Sequence, residues 1–129
     1  MDDCIFCKII KGKIPCFKVY EDDKYVAFLD IFPRAKGHTV VIPKKHVRWV
    51  TDLSQEEFGD MWKTVHTITK KIASAIRPQF TSYLTYGLDV THAHIHILPR
   101  ESNDGFIPEA VKGNMEELKK VADLINGGN

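Results

Sequence analysis

The sequence predicts an α+β fold: an antiparallel sheet of about five strands, one long helix and a C-terminal helix. Three observations carry this. Short runs rich in β-branched and aromatic residues are parted by polar or Gly/Pro turns. Residues 54–76 repeat their apolar positions at helical spacing. The strands cluster around that helix without the regular strand–helix alternation of a parallel sheet.

In chain order, residues 4–11 hold one or two turns of helix. Residues 17–20 and 25–29 read as strands joined by the polar turn Glu21-Asp22-Asp23-Lys24, a hairpin. Residues 31–37 contain Pro33 and Gly37 and form a loop. Residues 38–42 make a third strand, stopped by Pro43. Ser54 with Glu57 three positions later is a capping box. Behind it, Phe58, Met61, Trp62, Val65, Ile68, Ile72, Ala75 and Ile76 form one apolar face, and Pro78 limits the helix. Residues 80–86 and 90–98 are two more strands, split by Gly87. Asn114 caps a last helix carrying Leu118, Val121, Ala122 and Ile125, ended by Gly127-Gly128.

Composition narrows the function. A chain of 129 residues with 43% hydrophobic content builds one domain with a core and is not disordered. Lys and Arg number 18 against 17 for Asp and Glu, which argues against a nucleic-acid partner held by bulk charge. The acidic start Met1-Asp2-Asp3-Cys4 is not a secretory signal. The apolar runs fall far short of the ~20 residues that span a bilayer, so no membrane role is expected. Three cysteines, an odd number, do not make a disulfide framework, and a cytoplasmic location follows. Cys4-x-x-Cys7 admits a redox reading or half of a zinc site. The redox reading needs a preceding strand, and only three residues precede Cys4.

His92, His94 and His96 are the main chemical signal. On a strand they share one face while Ala93, Ile95 and Ile97 take the other, so one side packs a core and the other displays imidazoles. The bland alternative is a solvated histidine face. One metal cannot take all three rings: at ~3.3 Å per residue the outer Cα atoms lie ~13 Å apart, while zinc ligands reach in to ~2.0–2.1 Å. Division of labour fits better. A neutral imidazole is a nucleophile near pH 7, and its neighbours can orient it, share a proton or stabilise charge. Phosphorus centres suit such attack.

The run His92-Ala93-His94-Ile95-His96-Ile97-Leu98-Pro99-Arg100 resembles the signature of the histidine-triad (HIT) superfamily. Cys4-Ile5-Phe6-Cys7-Lys8-Ile9-Ile10, Val19-Tyr20-Glu21-Asp22, Ala27-Phe28-Leu29-Asp30-Ile31 and the segment from Lys36 to Val47 are similar to that family in the same order. The resemblance covers about residues 3–112, read as the HIT domain, and leaves 113–129 as a C-terminal helix and tail.

The resemblance implies a homodimer that hydrolyses or transfers nucleoside monophosphates through a nucleotidyl-histidine. His94 would be the nucleophile and His96 its support. Asp30 would meet the ribose hydroxyls, and Ile5, Phe6, Ile9, Phe28 and Ile31 would wall the base. Relatives with this cysteine pair bind structural zinc, which implies Cys4, Cys7, His46 and His92 as a closed ligand set. One departure stands out. Leu88 lies where a glutamine is common, and Asp89 where a small hydroxyl often touches the phosphate, on a shortened connection before the triad. A nucleoside phosphoramidate hydrolase is the leading expectation. A dinucleoside polyphosphate hydrolase and a nucleotide-binding interaction protein with little turnover are the alternatives. Cys16 and His66 have no assigned partner, and His38 is expected to serve structure.

Overall fold

The computed structural model describes residues 3–127. Five antiparallel strands form one sheet: β1 (Lys18–Glu21), β2 (Tyr25–Leu29), β3 (Thr39–Pro43), β4 (Phe80–Leu84) and β5 (Ile95–Arg100), in the spatial order β1-β2-β3-β5-β4. Three α-helices accompany it, α1 (Ile5–Ile10), α2 (Gln55–Ile76) and α3 (Met115–Ile125), with one 3-10 turn at Val50–Asp52. The expected α+β architecture is therefore present. Met1, Asp2, Gly128 and Asn129 lie outside the described residues.

The long helix starts where the capping box puts it. Ser54 Oγ accepts from the Glu57 N–H, and Glu57 accepts in return from the Ser54 N–H. It ends at Arg77, whose left-handed backbone (φ 55°) closes the last turn ahead of Pro78. Met61, Val65, Ile68 and Ile72 are buried, while Phe58 at the helix start is exposed. Asn114 caps α3 by accepting from Glu117 N–H.

Both faces of the sheet are covered, which its strand patterns alone leave open. Ala27, Leu29, Val41, Ile95 and Ile97 face the main core with α2 and α3. Val26, Phe28, Val40 and Ile42 face the other way, against Cys4, Phe6 and Cys7 of the N-terminal segment. β2 and β3 are consequently buried at every residue. The short α1 turns the second face of the sheet into an interior.

The fifth strand differs from expectation. It begins at Ile95, not at residue 90, so His92 and His94 precede it on irregular backbone. Pairing with β3 runs only from Val41↔Ile95 to Thr39↔Ile97. Beyond that, Pro43 has no N–H to offer a ladder, and its carbonyl accepts from the His92 ring at 2.7 Å. Ala93 N–H donates to Val47 O at 2.8 Å instead, and His94 O accepts from Thr85 Oγ1. β4 likewise stops at Leu84 rather than at residue 86.

Candidate functional site

The histidine run lies on the second face, against α1, and it is not displayed to solvent as the strand reading expects. His92 and His94 are buried and His96 is half-buried. Phe6 from α1 meets His94 edge-on at 5.1 Å between ring centres, and His96 stands 4.9 Å from His94. The hydrogen-bond network assigns the tautomers. A carbonyl only accepts, so His94 donates Nδ1–H to His92 O at 2.7 Å and keeps its lone pair on Nε2. By the same logic His92 donates Nε2–H to Pro43 O and keeps its lone pair on Nδ1.

That Nδ1 points into a set of metal-ligating atoms. It lies 3.4 Å from Cys4 Sγ, 3.5 Å from Cys7 Sγ and 3.1 Å from His46 Nδ1, while His46 Nδ1 lies 3.2 Å from Cys7 Sγ. A tetrahedral zinc with Zn–S of ~2.3 Å and Zn–N of ~2.0–2.1 Å would hold its ligand atoms about 3.3–3.8 Å apart. The four residues fit that ion in donor type, and the distances lie within that range or 0.1–0.2 Å short of it. Burial and the neighbouring Cys4 push the Cys7 thiol up from its ordinary value, which disfavours a bare thiolate there. The set is gathered by α1, the loop after β3 and the backbone before β5, three segments far apart in sequence.

His96 has a different neighbour, and the sequence reading missed it. His38, one residue before β3, donates from Nε2 to His96 Nδ1 at 2.8 Å. Its own Nδ1 accepts from Arg34 N–H at 3.0 Å, which fixes the direction of the chain. His96 therefore carries its proton on Nε2. Burial pushes both rings down to about 3, so both are neutral over the physiological range. The only signal for His38 in the sequence was its place after a loop glycine, and the pairing Val40↔His96 is what brings it across.

Asp30 follows β2 on the same side, with Oδ2 3.6 Å from His38 Nε2 and Oδ1 accepting from Phe32 N–H. Asp30, His38 and His96 also lie close enough to suggest a cation site. The tautomers argue against it, because a metal on His38 Nε2 would require an imidazolate while Nδ1 accepts from Arg34 N–H. His94 is held below its ordinary value first by burial. The hydrogen bond to His92 O opposes this most, followed by the carboxylates of Asp30 and Asp89, while Arg48 adds to it.

Among the expected base-wall residues, Phe6 and Phe28 are buried together and Ile9 packs on their cluster, whereas Ile5 and Ile31 are exposed. Asp89 is exposed on the loop before the run. His66 is exposed on α2, and Cys16 is half-buried beside the second cluster, where burial raises its thiol.

Comparison with known proteins gives concordant matches. The HIT domain family model matches residues 11–103. A Schizosaccharomyces pombe protein named adenosine 5'-monophosphoramidase is 42% identical over 130 residues, covering 89% of this chain and 95% of that one. The crystal structure of a HIT-like protein from Bartonella henselae, solved with an unknown ligand, superposes with a TM-score of 0.86 at 34% identity, covering 98% of this chain and 96% of that one. A zinc-bound histidine triad family protein from Mycobacterium smegmatis has a TM-score of 0.83 at 26% identity, covering 98% and 92%.

Proposed function

This chain belongs to the HIT family, and on that premise we propose that it is a nucleotide hydrolase or transferase of the nucleoside phosphoramidate type, with His94 as nucleophile. The observation that carries the reading is the tautomer of His94. Its Nδ1–H is tied to His92 O, and among the described residues its Nε2 lone pair has no hydrogen-bond partner. The Schizosaccharomyces pombe relative named as a monophosphoramidase supports the substrate class.

His94 Nε2 attacks the α-phosphorus. A P–N bond forms to the ring as the bond to the leaving amine breaks, and the amine takes its proton from solvent. The ring becomes cationic in this step, and His92 O, already accepting from Nδ1–H, stabilises that charge. The oxygen of a water then bonds to phosphorus as the P–N bond to the ring breaks and the water's proton passes to solvent, releasing the nucleoside monophosphate and regenerating neutral His94. His96 offers Nε2–H to the phosphoryl oxygens. Asp30 accepts from the ribose hydroxyls, Phe6, Phe28 and Ile9 lie beside the base with Ile5 and Ile31 at its rim, and Asp89 borders the phosphate.

Cys4, Cys7, His46 and His92 would hold one zinc, and the zinc-bound relative supports this. Two thiolates and two imidazoles fill a tetrahedron and leave no position for water, so the ion is structural. The chain would act as a homodimer. The outer carbonyls of β1 are occupied by side chains, Lys18 O by Asn126 and Val19 O by Lys71, while β4 leaves Phe80 and Tyr83 exposed at the other edge.

The test is the covalent intermediate. Quenching the protein during turnover of adenosine 5'-phosphoramidate should trap an adenylylated chain by intact mass. His94→Asn should abolish the adduct and lower turnover by roughly 10⁴-fold or more while AMP still binds. An adduct that survives His94→Asn would remove the assignment.

A further inference from the structure

We infer that Arg48 is the phosphate-facing cation of this site; the inference rests on the nucleotide reading above and adds the residue that would hold the anion. The proposed substrate brings a negatively charged phosphoryl group to His94. The imidazoles around it, His38 and His96, are neutral, and Asp30 and Asp89 are carboxylates. Leu88 has no side-chain donor to offer. Beyond the neutral His96 Nε2–H, a cation would complement the charge of the anion.

Arg48 is placed for that task by backbone contacts. The hydrogen bond from Ala93 N–H to Val47 O sets residues 47 and 48 alongside the backbone that carries His92 and His94. The Arg48 guanidinium then donates from Nη1 to Gly87 O, on the short connection ahead of the run. Its central carbon stands 3.7 Å from the centre of the Trp49 ring, a stacked cation–π contact. Gly87 makes this clamp possible. Its φ is +76°, and a Cβ there would come 3.0 Å from the Trp49 ring, so a side chain at this position would push the indole away.

The clamp uses one face and one donor of the guanidinium. Among the described residues no carboxylate pairs with Arg48, so the rest of its fork of N–H donors is left for a ligand. The other arginine near these imidazoles is committed elsewhere: Arg34 donates to Pro108 O, and its charge acts on His38 and His96 rather than on His94. A stacked, oriented guanidinium whose charge reaches His94 would bind a phosphoryl oxygen pair and strengthen its hold as charge builds on those oxygens.

The experiment measures AMP and adenosine affinity by calorimetry for wild type, Arg48→Ala and Arg48→Lys. Arg48→Ala should weaken AMP by at least about tenfold and leave adenosine within about twofold. Arg48→Lys, which keeps the charge without the fork, should recover part of the loss. Arg48→Gln carries the same comparison if the alanine variant does not fold, since its amide can still donate to Gly87 O. Unchanged AMP affinity, or equal losses for AMP and adenosine, would overturn the role of Arg48 while the adenylylated intermediate leaves the nucleotide reading standing. A wild-type protein that binds no AMP and forms no adduct would remove both.

Discussion

His92 and His96 flank His94 at equal distances along the chain, yet the fold gives them opposite surroundings. His92 donates its Nε2–H to a carbonyl and turns its Nδ1 lone pair on two cysteines and a histidine. His96 receives a hydrogen bond at Nδ1 from His38 and keeps its proton on Nε2. One ring presents a lone pair to that cluster and the other an N–H on its far nitrogen. The side chains are identical, and the difference comes wholly from what the rest of the chain brings up to each.

The largest effect that can sharpen this contrast is removal of the cysteines. Cys4→Ser with Cys7→Ser should take zinc from about one per chain to none by elemental analysis. It should cost several kcal/mol of stability, lowering Tm by about 10 °C or more. Turnover at 25 °C should fall less. Rate loss on chelation without unfolding would break the contrast by giving the His92 end a catalytic ion.

At the other end the order reverses. His96→Ala should lower turnover by about 10²–10³-fold, the usual cost of one donor to a developing oxyanion, while Tm falls by only a few degrees as the buried His38 Nε2–H loses its acceptor. His96→Asn should be milder, because its amide can still donate. Steady-state kinetics and thermal melts on the same samples separate the two.

A further effect is a dependence on pH. Burial holds His38 and His96 at about 3, below the ~6.5 of an exposed imidazole. Below about pH 6.5 the unfolded chain therefore binds protons that the folded chain refuses. Stability from this source is complete above that pH and is lost as pH falls toward 3, by roughly 1.4 kcal/mol per pH unit for each ring. Urea unfolding of His38→Asn between pH 6.5 and 4.5 should show a shallower fall than wild type. Equal slopes would mean that His38 is not held neutral.

Elements whose signals are local are legible in the residues themselves. The capping box at Ser54 and Glu57, the apolar stripe behind it and the strand at residues 25–29 depend on neighbours a few positions away, and each stands where the pattern puts it. The gathering of Cys4, Cys7, His46 and His92 is present in the geometry, but it was legible beforehand only through family resemblance, because spacing along a chain does not report closeness between remote segments. Tertiary structure alone decided the rest. Pro43 cannot extend the ladder, so His92 and His94 leave the strand that their alternation suggests. The register of β3 on β5 carries His38 to His96, and the bond between Ala93 and Val47 sets Arg48 beside the run. Those contacts depend on strand register and on a single backbone hydrogen bond between distant residues, and neither leaves a periodic trace in the sequence.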